Sequence, residues 1–169
     1  FHPSLLPKYR GAIPEICVIY NGDKKTGISF HLMTEKFDKG NLILQRKLEV
    51  QDNDTTVSLK KRLSSHARES LKDLFTIIRL RNLKGEIQKE SEASYCKLER
   101  NSNFIYKDLT VEKIKNIINA YHGDIHEPYC KINNKKIYIL SYSSINGFSY
   151  ECRDGKILFD VIRYKNKIY

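Results

Sequence analysis

The chain has 169 residues, of which 40% are hydrophobic and 30% charged, and its formal net charge is +10. This length suits one ordinary domain or two small ones. The sequence contains no run of about 18 apolar residues, which excludes a membrane-spanning helix, and its first residues lack the charged-then-apolar pattern of a signal peptide. A basic surface favours polyanionic partners, although Lys, Ile and Asn are frequent throughout the chain.

The N-terminal segment is the most distinctive part of the sequence. Its first eleven residues read FHPSLLPKYRG, and this proline-punctuated run predicts an irregular loop. Pro3 and Pro7 bias the residues before them towards extended geometry. The loop is therefore expected to be stiff and to hold the side chain of His2 in one orientation.

The rest of the first half predicts alternating helices and strands. In chain order these are a short helix at 12–20, a strand at 28–33, a polar loop at 34–40, a strand at 41–50 and a longer helix. Asp54 or Thr55 can cap the longer helix, and its apolar residues recur at helical spacing to form one stripe. The stripe consists of Leu59, Leu63, Ala67, Leu71, Leu74, Phe75 and Ile78. Residues 82–92 are polar, and their last part, 86–92, is predicted to be a linker.

The second half predicts a β-rich domain with one helix. Thr110 can cap that helix. The predicted strands are 93–97, 129–132, 136–142, 148–152 and 156–164. Asn133-Asn134 and Asp154-Gly155 are turn pairs typical of hairpins. Strands at this spacing favour a small β-barrel or sandwich.

The four cysteines are Cys17, Cys96, Cys130 and Cys152, and they have neither CxxC nor metal-finger spacing. We therefore predict no metal site. We expect free thiols in a reducing cytosol.

His2 and Asp38 are the candidate catalytic residues, and they lie 36 positions apart. A histidine beside prolines is more often a hydrogen-bonding loop residue, and an Asp before Lys-Gly is more often a turn former. Spacing and composition do not show that the two side chains meet in space.

A resemblance to a known family changes this interpretation. HPSLLPKYRGA, the following helix, NGDKKTG, an apolar strand and FDKGNLIL resemble, in that order, the catalytic segment of the folate-dependent formyltransferases. The resemblance is continuous from His2 through the long helix. It implies that His2 and Asp38 face each other across the reacting formyl group of 10-formyltetrahydrofolate.

The chemistry of formyl transfer explains why such residues are needed. A primary amine attacks the formyl carbon, so the site needs a donor for the developing oxyanion and an acceptor for the amine proton. The resemblance assigns the donor and acid to His2, and the orienting group and base to Asp38. Thr34, Glu35 and Phe37 lie in a loop that resembles the segment wrapping the pteridine ring. His31 is either a support for the aspartate loop or an ordinary strand histidine.

The resemblance also implies a fold and a location. Residues 1–85 are expected to be the C-terminal part of a Rossmann-like α/β catalytic domain, and 93–169 a small OB-like β-barrel, in a cytoplasmic enzyme. In the family, an Asn two positions before the histidine belongs to the site, and this chain begins too late to include it. We therefore expect the chain to come from a longer protein and to be inactive or poorly folded in isolation.

The acceptor amine remains open among three hypotheses. The motif at 93–97, ASYCK, and the hairpin at 151–155, ECRDG, resemble parts of methionyl-tRNA formyltransferases, which implies tRNA as the partner. Formyltransferases acting on nucleotide-linked amino sugars carry a variable domain after the same core, which makes such a sugar the alternative. A third possibility, of another class, is a non-catalytic, basic RNA-binding fragment.

Overall fold

The computed structural model describes residues 1–80, 83–124 and 126–169. The predicted first domain includes residues 81 and 82, and the predicted second domain includes residue 125, which all lie outside the described residues. The described residues form two compact units. The first unit comprises 1–18 and 23–97, and the second comprises 19–22 and 98–169.

The elements of the first unit follow the predicted order. They are helix α1 (Pro14–Asn21), strands β1 (Lys25–His31) and β2 (Leu42–Glu49), helices α2 (Thr56–Glu69) and α3 (Leu71–Arg79), and a 3₁₀ turn (Glu90–Glu92). The last turn of α1 belongs to the second unit. β1 and β2 pair antiparallel. The strands approach closely because Gly27 has no side chain: a Cβ there would lie 2.1 Å from the carbonyl oxygen of Arg46.

Helix α2 begins with the predicted cap. The Thr55 hydroxyl accepts the N–H of Ser58, and the Ser58 hydroxyl accepts the N–H of Thr55, which completes a capping box. Leu59, Leu63 and Ala67 are buried. This face of α2 packs against β1 and forms the core of the first unit.

The prediction of one long helix is wrong, because the helix breaks at Ser70. The Ser70 hydroxyl donates to the His66 carbonyl at 2.8 Å, and the Ser70 N–H donates to carbonyls of the same turn. These carbonyls at the end of α2 therefore have hydrogen-bond partners. α3 then starts anew. Phe75 and Ile78, which belong to the predicted stripe, lie in α3 and are exposed.

The predicted strand at 93–97 is also wrong. This stretch makes only a single isolated bridge, between Tyr95 and Arg10, because its partner is the irregular N-terminal loop and not a strand. Residues 86–92 are likewise hydrogen-bonded within the first unit: Glu86 exchanges two backbone bonds of 2.8 Å with Leu42.

The cysteine prediction is wrong for one pair. Cys17 and Cys96 form a disulfide with their Cα atoms 5.8 Å apart, whereas Cys130 and Cys152 are free. The two bonded residues are 79 positions apart, so no local spacing pattern could reveal their pairing.

The described part of the second unit contains a five-stranded antiparallel sheet and one complete helix. Its elements are α4 (Val111–Ala120) and strands β3 (Tyr129–Ile132), β4 (Lys135–Ser143), β5 (Phe148–Cys152), β6 (Gly155–Tyr164) and β7 (Lys167–Ile168). The strand order is β3-β4-β6-β5, and β7 pairs with β6. Register shifts between β4 and β6 break the ladder, and such irregularities increase local twist and curl a sheet.

The core of the second unit is mostly isoleucine and aromatic. Its buried residues include Ile105, Ile114, Ile117, Cys130, Ile139, Tyr150, Ile157 and Phe159. Burial raises the pKa of the Cys130 thiol to about 11, which keeps it an inert core residue. Among the described residues, no helix is long and apolar enough to cross a membrane.

Candidate active site around Asp38

The N-terminal loop holds His2 against strand β1. His2 and Ser29 exchange two backbone hydrogen bonds of 2.8 and 2.9 Å. The side chain is 7% exposed, and its Nε2 lies 2.9 Å from the carbonyl oxygen of Tyr9. Because a carbonyl can only accept, Nε2 carries a proton in this arrangement. The other ring nitrogen, Nδ1, is left facing Asp38.

Asp38 belongs to a tightly closed loop between β1 and β2. The Leu32 N–H donates to the Asn41 carbonyl at 2.9 Å. Gly40 passes so close to Leu32 that a Cβ at position 40 would lie 1.7 Å from the Leu32 carbonyl oxygen. Asp38 itself has the left-handed backbone conformation, with φ +57°. Asp tolerates this conformation better than most residues do.

The Asp38 carboxylate lies between two histidine rings. Its Oδ1 is 3.5 Å from Nδ1 of His2 and 3.7 Å from Nε2 of His31. Its Oδ2 accepts the N–H of Gly11 at 2.9 Å. The side chain is 19% exposed, so it is shielded from bulk water but still reachable.

The structure therefore brings His2 and Asp38 together and adds His31. The register of β1 shifts between Phe30 and His31, and Nδ1 of His31 bonds to the Leu32 carbonyl at 2.9 Å. His31 is at once a strand residue bonded to its neighbour and a residue beside the aspartate loop, so both interpretations of His31 describe its position. Two imidazole rings therefore lie within ion-pair distance of one carboxylate, and general acid–base catalysis uses groups of these types.

The three predicted folate contacts lie on the exposed side of this loop. Thr34 and Glu35 are exposed, and the Thr34 hydroxyl donates to the Lys36 carbonyl at 2.9 Å. Phe37 is 91% exposed and Met33 is 94% exposed. Large apolar side chains with this exposure, next to a polar cluster, are typical of a surface that a ligand covers.

A buried network supports the loop: it includes Arg10 of the N-terminal motif, and sequence reasoning missed its other buried member, Gln88. Gln88 donates through Nε2 to the carbonyls of Asp38 and Gly40, each at 2.8 Å. Its Oε1 accepts from the fully buried guanidinium of Arg10 at 2.8 and 3.2 Å. Arg10 also pairs with Glu90 through two contacts of 2.9 and 3.1 Å. These hydrogen bonds from Arg10, with another from Lys39, lower the pKa of Glu90 to about 2.

His66 and His126 make separate local contacts. His66 pairs with Glu69 at 3.7 Å, and Nδ1 of His126 lies 3.1 Å from Asp124. No group of His, Cys, Asp and Glu able to hold a metal ion occurs among the described residues.

Comparison with known proteins gives a consistent result. Residues 1–74 match the family model described as formyl transferase. The methionyl-tRNA formyltransferase of Borreliella burgdorferi is 38% identical over 120 residues, which cover 70% of this chain and 38% of that protein. The enzyme of the same name from Fusobacterium nucleatum is 28% identical, covering 98% of this chain and 59% of its own length.

Solved structures show the same formyltransferase-like α/β fold. HypX from Aquifex aeolicus with tetrahydrofolic acid has a TM-score of 0.76 at 15% identity, covering 97% of this chain and 31% of its own. An N-formyltransferase from Helicobacter canadensis with folinic acid and dTDP-3-aminofucose has a TM-score of 0.73 at 24% identity, and the match covers 92% of this chain and 62% of that one. Methionyl-tRNA formyltransferase from Clostridium thermocellum has a TM-score of 0.66 at 21% identity, and the match covers 100% of this chain and 67% of that one.

Proposed function

The chain belongs to the formyl transferase family, and we propose that the protein transfers a formyl group from 10-formyltetrahydrofolate to a primary amine. The observation that carries this proposal is the Asp38 carboxylate held between the rings of His2 and His31. The chain spans 38% of the length of the first curated relative that it matches, so activity, acceptor and partners are proposals for the complete protein.

The loop beside Asp38 is the proposed contact for the flat ring of the folate. Met33 and Phe37 expose apolar surface, and Thr34 and Glu35 supply polar groups on the same loop. We place Thr34, Glu35 and Phe37 as the residues of this chain that contact the pteridine. Bound there, the folate would supply the electrophilic formyl carbon. The complexes with tetrahydrofolic acid and folinic acid among the structural relatives support a folate as the co-substrate.

Asp38 is the proposed proton acceptor for the attacking amine. Its Oδ2 is occupied by the Gly11 N–H, whereas Oδ1 faces both histidine rings. A proton taken up at Oδ1, directly or through one water, can therefore be shared with His2 or His31, and it is returned to N10 of the folate when the bond between N10 and the formyl carbon breaks. The Nε2 proton of His2 is held by the Tyr9 carbonyl, so the proposed role of His2 as oxyanion donor requires this hydrogen bond to be shared or exchanged.

Methionyl-tRNA is the acceptor that we favour. A group of residues in the second unit, here called the aromatic–cationic surface, consists of Phe104, Tyr129, Lys136, Tyr138 and Arg163. The Lys136 ammonium lies 3.9 Å from the centre of the Tyr129 ring and 4.7 Å from that of Tyr138, and Arg163 lies 4.8 Å from the latter. Aromatic faces interleaved with cations stack bases and contact phosphates. The methionyl-tRNA formyltransferases among the relatives support the same choice.

A nucleotide-linked amino sugar is the alternative acceptor. The Helicobacter canadensis structure, whose ligands are folinic acid and dTDP-3-aminofucose, matches this chain with a TM-score of 0.73. The fold therefore suits either acceptor. We also propose the finer architecture expected from the sequence: 1–85 as the C-terminal part of a Rossmann-like domain, 93–169 as an OB-like barrel, and 86–92 as a connection fastened to the first domain.

The test uses the full-length protein with 10-formyltetrahydrofolate and two kinds of acceptor. Methionyl-tRNA and a panel of nucleotide-linked amino sugars are offered separately, and formyl incorporation is read by mass. We expect formylated methionyl-tRNA, with a loss on the order of 10²- to 10⁴-fold in Asp38→Asn, the range for removal of a general base. Asp52→Asn, an exposed change of the same type, is the control.

Each other result of this assay would revise the proposal. Formylated sugar without formylated tRNA would move the acceptor to the alternative. Binding of tRNA with no formyl transfer, and no effect of Asp38→Asn, would indicate the non-catalytic RNA-binding protein.

A further inference from the structure

Gln88 contacts the backbone of the Asp38 loop, and Arg10 contacts Gln88. The Gln88 side chain is 5% exposed, and its amide nitrogen bridges the carbonyls of Asp38 and Gly40 with two bonds of 2.8 Å. These are the backbone carbonyl of the proposed proton acceptor and that of the residue two positions later. Gln88 therefore fixes the backbone of the loop without touching the carboxylate.

Arg10 determines which way the Gln88 amide faces. A glutamine amide can be turned by 180°, which exchanges its donor and acceptor ends. The guanidinium of Arg10 donates to Oε1 through both Nε and Nη2, so the oxygen must face Arg10 and the nitrogen must face the loop. Arg10 is 0% exposed, and Glu90 neutralises its charge at 2.9 Å.

The same short segment also holds the side chain of Asp38. Gly11, the neighbour of Arg10, donates its N–H to Oδ2 of Asp38 at 2.9 Å and adopts φ +110°, a conformation that favours glycine. Arg10 and Gly11 thus act on Asp38 from two sides: through Gln88 on its backbone, and directly on its carboxylate. A left-handed non-glycine residue persists only where its surroundings over-determine it, and these contacts do so.

We propose that Gln88 and Arg10 are positioning residues that set the orientation of the Asp38 carboxylate towards His2 and His31. The inference rests on the proposed function, because it assigns these residues to the same reaction. Neither residue contacts the reacting atoms. Both act through the left-handed backbone of Asp38.

Gln88→Glu is the most selective variant, because it replaces only the amide nitrogen of the side chain by an oxygen. One carboxylate oxygen keeps the bonds to Arg10, whereas the other replaces the amide nitrogen and cannot donate to the two loop carbonyls. We expect kcat for formyl transfer to fall on the order of 10²-fold, the loss that a misplacement of about 1 Å causes. The KM for the folate is expected to stay near the wild-type value. Gln51→Glu, an exposed change of the same type, is the matched control.

A double-mutant cycle separates positioning from a general loss of stability. If Gln88 acts through the Asp38 carboxylate, Gln88→Glu has no further effect on kcat once Asp38 is Asn. The proposal is overturned if Gln88→Glu keeps wild-type kcat. It is also overturned if the two losses multiply in the double variant.

Amide hydrogen exchange tests the same inference without activity. The Gly11 N–H bonds to the Asp38 carboxylate, and the Ser29 N–H bonds to the His2 carbonyl at 2.9 Å. In Gln88→Glu we expect about tenfold faster exchange at Gly11 and no change at Ser29. Unchanged exchange at Gly11, or equal acceleration at both amides, would overturn the inference. If the wild-type protein transfers no formyl group, the proposed function fails, and this measurement still decides whether Gln88 positions Asp38.

Discussion

At the scale of single residues, Asp38 meets two separate demands. Its backbone is left-handed, with φ +57°, and its carboxylate must lie between two imidazole rings. Among residues other than glycine, Asn and Asp adopt this backbone conformation most readily. Asn can also accept the Gly11 N–H through its side-chain oxygen. Asp38→Asn therefore removes the charge and proton affinity alone, whereas Asp38→Ala would also disturb the loop.

Lys113 provides a residue-scale prediction in the second unit. Its ammonium donates to the Tyr20 carbonyl at 2.6 Å and lies 3.3 Å from the centre of the Tyr20 ring, and burial lowers its pKa from 10.5 to about 8. Between these values the folded state has released the proton and the unfolded state still binds it, so stability rises with pH. Between about pH 8 and 10.5, we expect the Lys113 titration to raise the free energy of unfolding of the wild type. Lys113→Met is expected to lack this contribution.

Chemical denaturation at a series of pH values would check this prediction. Lys115→Met is the control, because Lys115 lies on the same helix and is exposed. Subtracting the free energy of unfolding of the wild type at each pH removes the contributions of tyrosines and thiols that titrate in the same range in both proteins. A stability curve of Lys113→Met parallel to that of wild type would contradict the assignment of a buried, proton-releasing lysine.

At the scale of elements, the break between α2 and α3 divides one predicted apolar stripe into two environments. Leu63 is 1% exposed in α2, whereas Leu71 is 37% exposed at the start of α3. We expect Leu63→Ala to lower the free energy of unfolding by about 2 to 5 kcal/mol. We expect Leu71→Ala to change it by less than about 1 kcal/mol, because a half-exposed side chain leaves no cavity.

The pair of variants is matched in chemistry, since both replace Leu by Ala on one predicted stripe. Urea denaturation of the full-length protein measures both. Equal losses would mean that the stripe is continuous and that the helix does not break at Ser70.

Local signals were sufficient for most elements of this fold. The Thr55 cap, the Thr110 cap and the bounds of β3 and β5 were predicted correctly, because each depends on side chains a few positions apart. The short strand β7 (167–168) was not predicted, and two residues give too little pattern to detect.

Contacts between distant parts of the chain were not predictable in the same way. Gln88 bonds to Arg10 across 78 positions, and Cys17 bonds to Cys96 across 79. The stretch at 93–97 was predicted to be a strand, yet it bonds to the irregular N-terminal loop. His2 and Asp38 came from a motif, whereas the contact of His31 with Asp38 depends on a register shift in β1 that periodicity does not reveal.

At the scale of the whole molecule, the net charge of +10 can act in two ways. It can attract any polyanion through the summed field, or selected lysines can contact phosphates directly. The two cases differ in how binding depends on salt. Direct contacts release counterions, and the logarithm of the binding constant then falls linearly with the logarithm of the salt concentration.

Two double variants with the same net charge separate these cases. Lys136 belongs to the aromatic–cationic surface and Lys135 precedes it in β4, whereas Lys60 and Lys61 lie on α2. We expect Lys135→Gln with Lys136→Gln to weaken binding of methionyl-tRNA and to reduce the salt slope by roughly 1.5, at about 0.7 to 0.9 per lost phosphate contact. The change at Lys60 and Lys61 should leave the slope as in wild type.

Equal effects of the two variants would mean that net charge, and not the aromatic–cationic surface, attracts the RNA. An unchanged slope in both would argue against any docking of RNA on the second unit, and would favour the amino sugar as acceptor.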